Sequence, residues 1–154
     1  MTIKEKSLYT SIYKYLDENQ IEELDDEDIL IINTIELDTR EFIKKIGIPI
    51  NLMGYKFIKE SIYIELLKET HYNLKEDDAT MNIIAIENNV NKNRIYKNIR
   101  YAIEFLKNNK DYSELNKFLG RKVFSRFGMP SNLEFILYSA EKIRDNIKYY
   151  TFRN

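Results

Sequence analysis

Sharp turns are scarce in this chain: four glycines and two prolines serve 154 residues. A sheet of many strands needs a reversal every few residues, and glycine and proline supply most of them. So few of either favours long helices over hairpins, and an all-α fold is expected. Chain length allows one good core, or one domain with a short appendage. Apolar residues make up 44% of the chain, which is ordinary for a globular protein. No stretch approaches the roughly 18 uninterrupted apolar residues of a membrane span. The N-terminal MTIKEKSLY lacks the apolar core of a signal peptide, so a cytoplasmic protein without membrane contact is expected. The lack of cysteine removes disulfides, thiolate metal ligands and cysteine nucleophiles together.

The formal charge of −1 conceals two unlike halves. Residues 1–40 hold four Lys/Arg against eleven Asp/Glu, a balance of −7, whereas residues 41–154 carry +6. From Lys92 to Arg126 there are ten bases and three acids, Glu104, Asp111 and Glu114. Such asymmetry points to an acidic extension joined to a part that meets an anion.

Periodicity and capping signals divide the chain. Thr2 with Glu5 reads as a capping box, opening a helix to about Asn19 with Leu8, Ile12, Tyr15 and Leu16 inward. EELDDED is a solvated linker or a helix entry. DILIINTIEL suits either a short strand or a buried helical turn. Asp38 with Glu41 reads as a second capping box, starting a helix that Gly47 ends and Pro49 keeps from resuming. A long helix is expected over about Leu52–Glu69, burying Ile58, Ile62 and Leu66. NLKEDDAT is then a polar connection. The remainder reads as a helix at Thr80–Asn88, a turn at Asn89–Asn91, and a longer helix capped by Asn91. A short helix at Ser113–Leu119, the basic loop GRKVFSRFGMP and a last helix from Ser131 to about Lys148 complete the chain. The expected division is an acidic N-terminal extension at 1–37, a compact helical domain at 38–148 and a tail at 149–154.

The helix from Asn91 onward has two unlike faces. Ile95, Ile99, Ala102, Ile103 and Leu106 fall on one stripe; Asn93, Arg94, Lys97, Arg100 and Tyr101 fall opposite. Its first ten residues hold four bases and no acid. Helix, three-residue turn, longer helix is the outline of a helix-turn-helix. In that motif the second helix packs on the first and lays its other face in the major groove of double-stranded DNA. On that reading helix 92–107 enters the groove, with Asn93, Arg94, Lys97, Arg100 and Tyr101 as base readers. Lys92, Arg121, Lys122 and Arg126 are candidates for phosphate contact. Two packed helices with a merely solvated basic face give the same pattern, so periodicity alone leaves both readings open.

Three ordered blocks add to the pattern: GIPINLMGYKFIKESI (47–62), the segment 84–106, and GRKVFSRFGMPSNLEFI (120–136). Gly47, Pro49, Gly54 and Tyr55 form one spaced motif; Gly128, Pro130, Asn132, Glu134, Phe135 and Ile136 form another. Together they resemble the C-terminal DNA-binding domain of the sporulation stage-zero response regulators, over about Asp38–Arg144. The resemblance implies an all-helical domain, a helix-turn-helix and regulation of transcription. It implies that Arg94, Lys97 and Arg100 occupy DNA-contacting positions, with Lys97 where the family usually has arginine. It also implies pairing of protomers on DNA, partly through the last helix. Members of the family usually carry a phosphorylated receiver domain upstream, and forty residues cannot build its doubly wound sheet. A regulator working without phosphorylation is therefore expected.

No enzyme reading emerges. His71 is the only histidine and lacks partners for a metal site; no glycine-rich phosphate loop occurs, and neither catalytic residues nor a cofactor are expected. Two other readings stay open. One is an interaction protein that pairs with a full-length relative, or with another partner, through the N-terminal extension; the other is a DNA-binding protein of plasmid or phage maintenance.

Overall fold

The computed structural model describes residues 12–147. Among them a 3-10 turn (Tyr13–Tyr15) precedes seven α-helices. These are α1 (Glu18–Glu23), α2 (Asp26–Ile46), α3 (Met53–Lys68), α4 (Thr80–Asn88), α5 (Lys92–Asn109), α6 (Tyr112–Leu119) and α7 (Asn132–Asn146). The expected all-α fold is present.

The core is arranged around α3. Tyr55, Phe57, Ile58, Ile62, Tyr63, Ile64, Leu66 and Leu67 are all buried, and a helix apolar on nearly every side belongs at the centre. Helices α2, α4, α5 and α7 pack around it. The closest approach is at Gly54, where a Cβ would lie 2.3 Å from the Asn98 carbonyl oxygen and 2.7 Å from the Ala102 Cβ. Only a hydrogen at this position lets α5 seat that deeply against α3, which accounts for one glycine of the Gly-Tyr motif.

The N-terminal third departs from the sequence expectations. Asp38 does not open a helix. One helix, α2, begins at Asp26 and runs unbroken to Ile46, where Gly47 at φ 105° ends it. Its capping box lies at Asp25 and Asp28, each side chain accepting from the other's backbone N–H (2.8 and 3.0 Å). Asp25–Asp28 of EELDDED are thus a helix entry, placed against the positive end of the helix dipole, while Glu22 and Glu23 end α1. DILIINTIEL is helical rather than a strand: Ile29, Ile32, Ile35, Thr39, Phe42, Ile43 and Ile46 form one buried stripe that continues past Asp38. An Asp-x-x-Glu spacing arises equally well inside a helix, and the continuous stripe overrides the local cap signal.

The opening of the first expected helix, with Leu8, lies outside the described residues. Its end is corrected: the chain leaves helical geometry at Leu16 (φ −85°, ψ 147°), and Asp17 caps the separate helix α1. The cause is a distant partner. Leu16 forms an antiparallel bridge with Leu74, and backbone bonds of 2.9 Å join Asp17 N to Asn73 O and Lys75 N to Tyr15 O. Ile12, Tyr15 and Leu16 are buried as expected. The final helix is capped by Ser131 and Glu134 in a reciprocal box; its described part ends at Asn146 rather than Lys148.

Candidate nucleic-acid interface

Helix α4, the turn Asn89–Asn91 and α5 form the expected unit. Asn89 takes the left-handed conformation (φ 50°), which asparagine tolerates better than most residues. Val90 packs against the core. Asn91 starts α5, its side chain accepting from Arg94 N at 3.1 Å. Ile95, Ile99, Ala102, Ile103 and Leu106 are fully buried, so the rotation of α5 is decided by packing. That rotation leaves Lys92, Asn93, Arg94, Tyr96, Lys97 and Tyr101 exposed on one side.

Arg100 is placed differently from its neighbours. It is half-buried, and its Nη1 donates to the Pro130 carbonyl at 2.8 Å. Asn132 Nδ2 donates to the Tyr96 carbonyl at 3.0 Å. These two bonds fix the start of α7 and the end of the 120–130 loop against the flank of α5. Four of the five candidate base readers therefore share an exposed face, and the fifth ties that face to the basic loop.

The loop bases are not equivalent. The Arg121 Nη2 donates to both carboxylate oxygens of Glu141 (3.1 and 3.4 Å), and its guanidinium lies 4.8 Å from the Tyr138 ring centre. Arg121 is thus engaged with α7. Lys122 and Arg126 are exposed. The tight reversal Ser125–Gly128 is closed by Ser125 N to Gly128 O at 2.9 Å, and it displays Phe127, 89% exposed, with the Arg126 guanidinium 5.4 Å from its ring centre. Phe127 is not among the residues that the sequence pattern singles out. Its signal was the Ser-Arg-Phe-Gly string, a turn with polar flanks and no helical stripe to join.

Elsewhere, His71 is exposed and lies beside the Tyr72 ring at 4.3 Å. No group of three metal-ligating side chains forms among the described residues, and none of their helices is long and apolar enough to cross a membrane. At the start of α2 and in α1, Asp28 accepts from the Tyr72 hydroxyl at 2.8 Å and Gln20 accepts from Asn73 N at 3.0 Å.

The family model described as sporulation initiation factor Spo0A C terminal matches residues 39–143, about two-thirds of the chain. The match takes in the whole α4–turn–α5 unit, the loop and most of α7.

Proposed function

The chain belongs to the Spo0A C-terminal family, the DNA-binding domain of a sporulation regulator, and from that premise we propose that it regulates transcription by reading a specific duplex sequence with α5. One observation carries the reading: Asn93, Arg94, Lys97 and Tyr101 are exposed together on the side of α5 opposite a fully buried stripe. Arg94 suits the paired acceptors O6 and N7 of guanine, Asn93 suits adenine, and Lys97 offers a point contact. The Arg100 bond to Pro130 uses one of five guanidinium donors, which leaves others for a base or phosphate. Lys92, Lys122 and Arg126 supply phosphate contacts; Arg121 would first have to leave Glu141.

Two arguments extend the proposal. The acidic run Asp25–Asp28 is occupied as a helix cap, which supports control without phosphorylation of that run. One helix-turn-helix reads only a few base pairs, so two protomers per site are proposed; exposed Leu133 and Leu137, one turn apart on α7, are suited to the contact between them. A second reading, capture of a protein partner by the N-terminal part, draws on exposed Leu30 and Leu37 two turns apart on α2.

Selection of genomic fragments by the protein, followed by sequencing, tests binding and finds the site together. Arg94→Ala should weaken the selected site by about 1–3 kcal/mol and spare random DNA. Equal losses on both would reduce Arg94 to a phosphate contact. No selection at all, with capture of a protein partner, would favour the second reading.

A further inference from the structure

We propose that residues 14–17, which precede the family-matched region, act as a clasp that positions the end of α4 and so sets affinity for a specific DNA site. The proposal rests on the DNA-reading function above.

The clasp has two arms. Its side-chain arm reaches the last residue of α4. Asn88 Nδ2 donates to the Tyr15 hydroxyl at 3.2 Å, and Lys14 Nζ donates to Asn88 Oδ1 at 3.1 Å. The Tyr15 hydroxyl in turn donates to Glu60 Oε1, with which Lys14 also pairs. Glu60 is fully buried in α3, and its Oε2 has no hydrogen-bond partner among the described residues. The backbone arm holds the approach to α4, through the bonds of Tyr15 and Asp17 to Lys75 and Asn73.

Geometry makes this a positioning contact for DNA. Helix α4 has nine residues, too few to be stable alone, and its place depends on what holds its ends. Its first residue is tied to α3, since Thr80 bonds Glu65 and Lys68. Its last residue, Asn88, is tied to the clasp and directly precedes Asn89, whose positive φ aims α5. Removing the clasp leaves the buried Ile83 and Ile84 in the core but frees the end of α4 that meets the turn. Base contacts need that turn in one place, whereas phosphate contacts tolerate displacement.

The test uses the full chain with Tyr15→Phe, which keeps the ring, and Asn88→Ser, which cuts the same arm at a part-buried position. Binding is measured on a fragment selected from genomic DNA and on random DNA, alongside amide exchange. The expected result is a tenfold or greater loss on the selected fragment and less than threefold on random DNA. The slope of log affinity against log salt stays unchanged, because the phosphate contacts remain. Amides of 84–92 exchange faster, while those of α3 and α7 do not. Unchanged affinity on the selected fragment, or faster exchange throughout the core, would overturn the clasp. Should the parent protein select no DNA, the proposed function fails first. The exchange measurement then still decides whether the clasp holds α4: slow 84–92 amides in both variants would refute it.

Discussion

Replacing Gly54 by alanine asks the sharpest question of this fold, because two effects of known sign oppose each other. Gly54 lies in the first turn of α3, where alanine is the better helix former by up to about 1 kcal/mol. Its φ is not in the left-handed region, so no backbone strain enters. Against this, the new methyl carbon would lie 2.3 Å from the Asn98 carbonyl oxygen. Real contacts of that kind hardly ever fall below 3.0 Å, so α3 and α5 must part by about 0.7 Å. The obstacle is backbone held in the α5 hydrogen-bond ladder, with the Ala102 methyl beside it, and neither can rotate aside. Overpacking of a tight core costs about 1–3 kcal/mol, and here it should exceed the propensity gain, leaving a net loss of about 1–2 kcal/mol. For a chain of this size that lowers the melting temperature by roughly 2–8 °C. Urea titration gives the stability, and binding of a selected DNA fragment gives the function, since the displaced element is the proposed reading helix. A variant as stable as the parent, binding with the same affinity, would refute the close approach of α3 and α5 at Gly54.

Three other outcomes can be checked with similar means. Tyr15 and Tyr72 are both raised above the ordinary tyrosine value of 10.0, by burial first and then by the carboxylates of Glu60 and Asp28; raised values give stability that is intact below pH 10 and lost as pH climbs above it. Lys59 is lowered from 10.5 by burial and adds stability with rising pH up to that value, so net loss should be plain above about pH 10.5 and smaller in Tyr15→Phe, as followed by circular dichroism. Lys122→Ala and Arg126→Ala should each reduce the salt dependence of DNA binding by about one unit of slope; Arg121→Ala, which loses an exposed ion pair, should change stability by under about 1 kcal/mol and leave the slope alone. Leu133→Glu with Leu137→Glu should convert a two-protomer footprint to independent binding, and a footprint fitting one protomer in the parent would remove that role for α7.

Legibility in the sequence followed the range of the interactions. Thr80–Asn88, the turn and the Asn91 cap are local, and they stand where the periodicity and cap residues placed them. The buried stripe of α5 likewise depends only on spacing within the helix. The bend at Leu16 does not: it needs Leu74, 58 residues away and without any pairing signal in a chain poor in strands. Arg100 reads as a base contact on a helical wheel, while its bond to Pro130 depends on how the loop returns. Asp38 misled because two acids three apart look alike at a helix start and within one; only the run of isoleucines across it separates the cases.

The continuity of α2 has a mechanical consequence. The matched region starts at residue 39, yet that position lies about two-thirds of the way along a rod about 31 Å long, at 1.5 Å per residue. The longer part of the rod, before it, is therefore a drive shaft, with no swivel between what it carries and the DNA-binding part. Anything joined to its front end is held at a defined azimuth. Each residue inserted near 38 would turn such a load by about 100° and advance it by about 1.5 Å, so a fused module would face the same way again only after roughly eighteen.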